Sequence, residues 1–203
     1  MNKNQVLENI QKTQARLAAE LRDENNKYFN AADVPHVNKV EKMDLTPFIE
    51  TMTKEMEESV VLWQECLSQG ETDEPFEEGM TIGHVHFEWS SSGSEALAYV
   101  YANAEISSDS DGFCDDSEAG ECYLYDISGF YEASKDFLKE TDFEERSTGY
   151  LDYQITKIAE IFYHAMEKVV LTDAFKALPK ADTFTFALTR HDRSPMLAYV
   201  WNA

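Results

Sequence analysis

The stretch MTIGHVHFEW, Met80 to Trp89, decides the fold, because its hydrophobic pattern has a period of two. Successive side chains of a β-strand point to opposite faces of the sheet, so this alternation predicts a strand with one apolar and one polar face. The apolar face carries Val85, Phe87 and Trp89, and the polar face carries His84, His86 and Glu88. Residues 95–106, EALAYVYANAEI, alternate in the same way after a serine-rich loop, and the two segments predict an antiparallel hairpin.

Helical periodicity precedes this hairpin. Apolar residues from Leu7 to Leu21 recur at steps of three or four residues, or multiples of these, and predict a first helix. Residues 31–44 contain a proline and no periodicity, so they are predicted to be a connection. A second helix is predicted to begin at Thr46, which can cap it, and to end at Gly70.

Further elements follow the hairpin. The segment CYLYDISGFY, residues 122–131, predicts a third strand that runs into a short helix near Glu132 to Lys139. Helical spacing predicts a long helix from Ser147 to Val169. Two alternating segments, residues 183–189 and 195–201, predict a second hairpin at the C-terminus.

This order of elements predicts an α+β fold in which an antiparallel sheet of four to five strands packs with helices, including an N-terminal helical pair. The 203 residues, 43% of them apolar, fit a single domain with a helical part (1–70) and a sheet-containing body (80–203). No stretch is long and apolar enough for a membrane span or a signal peptide, so we expect a cytoplasmic protein. The three cysteines lack C-x-x-C spacing and are predicted to be reduced thiols.

The net charge of −22 is concentrated in the middle of the chain. From Glu55 to Ser134 there are 20 acidic residues and no lysine or arginine, whereas both ends of the chain are nearly neutral. Such segregation builds a field of one sign that attracts basic partners and repels nucleic acid and anionic membranes. The alternative is an acidic, salt-adapted surface that has no specific partner.

The acid is densest in two predicted loops, ETDEPFEEG (residues 71–79) and SSDSDGFCDDSEAGEC (residues 107–122). One loop precedes the first strand of the first hairpin and the other follows the second strand. Because those two strand ends lie side by side, we expect both loops at one edge of the molecule. There charge would guide a basic protein, and Phe76, Phe113 and Tyr123 would anchor it. The predicted partner-binding residues are Asp73, Glu74, Glu77, Glu78, Asp109, Asp111, Phe113, Asp115, Asp116, Glu118 and Glu121.

A small, acidic α+β chain without catalytic motifs resembles the immunity proteins that bacteria keep against their own basic toxins. Its charge is also similar to that of phage-encoded DNA mimics. The resemblance implies an inhibitor and not an enzyme: carboxylates would block the active or substrate-binding site of a toxin domain such as a nuclease. It further implies fast association that salt slows, and no cofactor.

The second acidic loop offers an alternative, a calcium-binding regulatory protein. With Ser107 as position 1, the loop matches the EF-hand pattern at glycine position 6 and at its oxygen ligands. Ser107 departs from the aspartate that the pattern requires, and a predicted strand precedes the loop where an EF-hand has a helix. The predicted side-chain ligands are Asp109, Asp111, Asp115 and Glu118.

A metal enzyme is the other alternative. His84, His86 and Glu88 share one face of a strand, where two imidazoles and a carboxylate could hold zinc or iron. A solvent-exposed polar face predicts the same alternation, and a covered face would make the histidines hydrogen-bonded core residues. The second hairpin turns at Arg190 to Ser194, a basic cluster that could close onto an acidic loop.

Overall fold

The structure is a computed structural model, and the residues it describes are 2–69, 81–89, 96–102, 106, 108–114, 122–125, 128–141, 147–191 and 193–203. Its helices are α1 Lys3–Arg22, α2 Val34–Glu41, α3 Thr46–Gln69, α4 Ser128–Glu140, α5 Thr148–Val169 and α6 Asp173–Ala177. Its strands are β1 Ile82–Trp89, β2 Ala96–Ala102, β3 Cys122–Tyr125, β4 Lys180–Arg190 and β5 Met196–Asn202. The predicted α+β class and number of strands are therefore confirmed.

The five strands form one sheet in the order β3-β2-β1-β4-β5. Both predicted hairpins are present, since β1 pairs antiparallel with β2 and β4 pairs antiparallel with β5. The prediction of an antiparallel sheet is wrong at its centre, because β1 and β4 run parallel. A parallel pair needs a long crossover connection, and the chain between β1 and β4, which contains α4, α5 and α6, supplies it.

The N-terminal part contains three described helices instead of the predicted pair. Residues 34–41, predicted to be a connection, form α2. Pro35 lies in the first turn of α2, where its missing N–H removes no intrahelical hydrogen bond, so this proline is compatible with a helix. At the start of α1, Asn2 and Gln5 form a reciprocal capping box.

Helix α5 is the central helix of the fold, because 15 of its 22 residues are buried. Its Phe162 packs against Phe87 of β1 and Phe186 of β4, with ring centroids 5.8 and 5.2 Å away. Phe87 also stacks on Phe130 of α4 at 4.1 Å. Burial of each such ring contributes about 2–3 kcal/mol, so these aromatic contacts fix the helical layer on one face of the sheet.

None of the helices in the described part of the chain is long and apolar enough to cross a lipid bilayer.

Candidate functional site

The described part of the second acidic loop, residues 108–114, is a tight turn held by its own backbone. The Asp109 carboxylate accepts the amide N–H groups of Asp111 at 2.9 Å and of Phe113 at 3.0 Å. Gly112 has a φ of +87°, a left-handed conformation that glycine adopts without steric cost. The turn is therefore specified by one aspartate and one glycine.

This turn pairs with the edge strand β5. Phe113 forms a β-bridge with Met196, and the Cys114 amide donates to the Pro195 carbonyl at 2.9 Å. The Leu197 amide in turn donates to the Gly112 carbonyl at 2.9 Å. An edge strand leaves backbone groups available for pairing, and this acidic turn occupies them at the start of β5.

The location of the turn corrects the prediction of a single acidic edge. Ile82 lies opposite Ala102, so the start of β1 and the end of β2 are side by side, as predicted. Met196 of β5, however, pairs with Leu188 of β4, and Leu188 lies beside Phe87 near the end of β1. The acidic turn therefore lies near the opposite end of β1, at the sheet edge formed by β5 and not at the β2 side. Three predicted partner-binding residues in this turn therefore do not lie at the predicted edge: Asp109, Asp111 and Phe113.

Basic groups from the N-terminal helix lie close to this acidic turn. The Lys12 ammonium is 4.0 Å from the Asp111 carboxylate, and both side chains are exposed. Such a surface pair contributes little free energy, but it offsets part of the local negative charge. The other predicted partner-binding residues lie outside the described part of the chain: Asp73, Glu74, Glu77, Glu78, Asp115, Asp116, Glu118 and Glu121.

Two of the predicted calcium ligands already accept hydrogen bonds within the turn. The Phe113 carbonyl, at position 7 of the EF-hand pattern, accepts the Asp109 amide at 2.8 Å. One oxygen of the Asp109 carboxylate accepts two further amides, as described above. Asp115 and Glu118 lie outside the described residues, and the described ones contain no cluster of three or more metal-ligating side chains.

The two histidines of β1 are buried, so the interpretation of a solvent-exposed polar face is wrong for them. His84 is 0% and His86 4% exposed. His84 Nδ1 lies 2.8 Å from Thr185 Oγ1 on β4, and its ring lies 5.5 Å from that of Tyr101 on β2. This hydrogen bond matches the expectation of a core histidine.

Glu88, the third residue of the predicted metal face, is engaged by a different histidine. Its carboxylate is hydrogen-bonded to Nδ1 of His191, in the turn between β4 and β5. The ring centroids of His84 and His86 are 6.4 Å apart. His84 and Glu88 each have a protein partner, which weakens the metal-enzyme alternative.

A cleft of about 370 Å³ lies where α1, α5, the acidic turn and the β4–β5 turn meet. Its apolar walls include Leu17, Leu21, Ile155, Leu188 and Met196. Its charged residues are Arg16, Glu20, Asp109, Asp152, Arg190 and Arg193, which include three of the five arginines of the chain. Periodicity could not reveal this cleft, because its residues come from four separate segments.

Asp152 of α5 organises the basic side of the cleft. Arg190 Nε lies 3.2 Å from one carboxylate oxygen, and Arg193 Nη2 lies 3.4 Å from the other. Burial raises the pKa of Asp152, while the positive charges of Arg190 and Arg193 oppose this effect. The basic turn therefore closes onto α5, with Asp109 of the acidic turn lining the same cleft.

Comparison with protein-family models, curated proteins and solved structures finds no match to this chain.

Proposed function

We propose that this protein binds a basic protein through the acidic middle of its chain, and that it acts in the cytoplasm as an inhibitor. In this proposal its carboxylates block the active or substrate-binding site of a toxin, such as a nuclease, as an immunity protein does. The observation that carries the proposal is the run of 20 acidic residues without a lysine or arginine between Glu55 and Ser134.

Ion pairing among the described residues supports a surplus of negative charge. Eight basic side chains pair with carboxylates outside this run, as Lys3 does with Glu167 and Arg22 with Glu41. Three others pair with carboxylates of the run itself: Lys12, Lys54 and Lys135. These bases are therefore engaged locally. A one-sign field of this kind raises the association rate with a partner of opposite charge by about 10- to 1,000-fold, and salt reduces it.

The turn at residues 108–114 contributes less to the proposed interface than its composition suggests. Asp111 has Lys12 nearby, and Asp109 lies beside the arginine-lined cleft. We therefore assign the larger part of the partner's attraction to the carboxylates of residues 71–78 and 115–121.

Binding kinetics with a matched pair of variants test the proposal. The immobilised full chain captures basic proteins from host cells, rising salt elutes them, and the purified partner is assayed for nuclease activity and for its association rate. We expect the chain to suppress that activity, and the rate to fall at least tenfold between low and physiological salt. The test variant is Asp73→Asn, Glu74→Gln, Glu77→Gln and Glu78→Gln.

The control variant removes the same charges from other exposed positions. It combines Glu8→Gln, Glu24→Gln, Glu50→Gln and Asp182→Asn. The proposal requires the test variant to slow association by several-fold more than the control variant. Equal rates and equal salt dependence for the two variants would refute it.

A further inference from the structure

The cleft between α1, α5 and the β4–β5 turn has the size and lining of a small-molecule site. Its volume of about 370 Å³ falls within the roughly 300–1,000 Å³ typical of ligand pockets. Apolar side chains from three directions form its walls: Leu17 and Leu21 of α1, Ile155 of α5, and Met196 of β5. Such a surface suits an aromatic ring or a short aliphatic body.

The carboxylates that line this cleft are already engaged. Glu20 accepts a hydrogen bond from Arg16 at 2.8 Å, and Asp109 accepts two backbone amides. Asp152 is held at 3.2 Å by Arg190, whose side chain is only 11% exposed. A cationic ligand would therefore have to displace an existing partner from one of these groups.

Arg193 is a charged residue of the cleft whose guanidinium N–H donors are available to a ligand. It shares Asp152 with Arg190, and its contact is the longer of the two, at 3.4 Å. Its side chain is 44% exposed and lines the cleft, so part of it remains accessible to a ligand. One carboxylate cannot neutralise two guanidinium groups, and a planar guanidinium binds a carboxylate through two parallel hydrogen bonds.

We propose that this cleft binds a small amphipathic carboxylate, whose anionic group pairs with Arg193 and whose apolar body lies against Leu17, Ile155 and Met196. This site meets the acidic run at Asp109 and Phe113, whereas the proposed function assigns the larger part of the basic partner's attraction to residues 71–78 and 115–121. An anionic site in a chain of net charge −22 requires a local positive group, and the arginines of the cleft supply it.

Three naphthalene probes of similar shape test the inference: 2-naphthoate, its neutral carboxamide and 2-naphthylmethylammonium. Methyl resonances in NMR spectra of the full chain report where each probe binds. We expect 2-naphthoate to shift the methyl signals of Leu17, Ile155 and Met196, and to bind about tenfold more tightly than the carboxamide, the factor that one charge-assisted hydrogen bond supplies. The ammonium probe should bind most weakly.

Variants at Arg193 separate its role from that of the apolar walls. Arg193→Gln should weaken 2-naphthoate about tenfold and leave the carboxamide unchanged, and Arg193→Lys should have an intermediate effect. Lys42→Gln removes an exposed positive charge elsewhere and should change neither affinity. Equal affinity for all three probes, or shifts that spare the cleft methyls, would overturn the inference, whatever the result with the basic protein.

Discussion

Phe113 forms a β-bridge with Met196, and this contact makes the acidic turn at residues 108–114 part of the folded sheet. The pairing lies at the start of β5, beside the turn that carries Arg193. The acidic turn therefore has two roles: it covers backbone groups of the edge strand β5, and it lines one side of the cleft. Stability of the turn and shape of the cleft should change together.

Gly112→Ala tests whether this turn depends on its left-handed residue. The φ of Gly112 is +87°, and an added Cβ would lie 3.0–3.1 Å from side-chain atoms of Asn9. Backbone strain and crowding should together lower the free energy of unfolding by about 1–3 kcal/mol. Denaturant unfolding measures the change, and Ser110→Ala, an exposed substitution in the same turn, should cost less than about 0.5 kcal/mol. Similar losses for the two variants would contradict this account.

The local features of the fold could be predicted from the sequence, because each leaves a pattern in neighbouring residues. Period-two alternation identified β1 and β2, and helical spacing identified α5. The sequence predicts no helix at residues 34–41, because Pro35 and the absence of periodicity indicate a connection, although the first turn of a helix tolerates proline.

Contacts between distant segments could not be predicted in this way. The parallel pairing of β1 with β4 joins strands about ninety residues apart, and no local pattern encodes it. Burial of His84 has the same origin, since its partner Thr185 comes from β4. The cleft combines α1, α5 and both turns, so only the folded chain brings Arg16, Asp152 and Arg193 together.

Asp33 and Ser147 should be energetically coupled, because they join the starts of two helices. Asp33 is 0% exposed at the start of α2, and it accepts a hydrogen bond from the Ser147 hydroxyl. Ser147 also caps α5 by accepting the Tyr150 amide at 3.3 Å. Ser147→Ala should therefore cost about 1–2 kcal/mol, since it removes a cap and leaves a buried carboxylate oxygen without this donor.

A double-mutant cycle isolates this coupling. Asp33→Ala, Ser147→Ala and the double variant are compared by denaturant unfolding, since each single change removes the hydrogen bond between the two side chains. We expect the double variant to be more stable than additivity predicts, by about 0.5 kcal/mol or more. Strictly additive losses would show that the two side chains act independently.

Glu160 should make part of the stability depend on acid pH. Burial disfavours its charge, but Lys157 and hydrogen bonds from Gln14 and Gln11 outweigh burial and lower its pKa below the ordinary 4.5. A carboxyl group with a lower pKa in the folded state stabilises the fold above its unfolded pKa, and this contribution is lost as the pH falls through the folded pKa. Glu160→Gln should therefore cost about 1 kcal/mol near neutral pH and progressively less below about pH 4.5.

Thermal unfolding across this pH range measures the effect. Glu8→Gln, at an exposed position of the same helix that carries Gln11 and Gln14, serves as the control and should follow the wild-type curve. A constant difference between Glu160→Gln and wild type at every pH would contradict the assignment.

Lys180 should stabilise the end of α6 through both its charge and its stem. Its ammonium donates to the carbonyls of Phe175 at 2.8 Å and Lys176 at 2.9 Å, which belong to the last turn of α6. The Phe175 carbonyl also accepts the Leu178 amide at 3.2 Å. The same ammonium lies 4.8 Å from the centroid of the Trp201 ring and 5.0 Å from that of Phe175. Lys180→Met keeps the apolar stem but removes the donors and the cation, so it should cost about 1–2 kcal/mol in denaturant unfolding.

Lys176→Met provides the contrast. The Lys176 ammonium lies 3.7 Å from the carboxylate of the exposed Asp173, and such surface pairs contribute less than about 1 kcal/mol. Trp201 fluorescence adds a local readout, because the indole ring loses its neighbouring cation only in Lys180→Met. If Lys180→Met matched Lys176→Met in stability, the carbonyl contacts would be replaced by water at no cost, and Lys180 would have no role in holding α6 against β5.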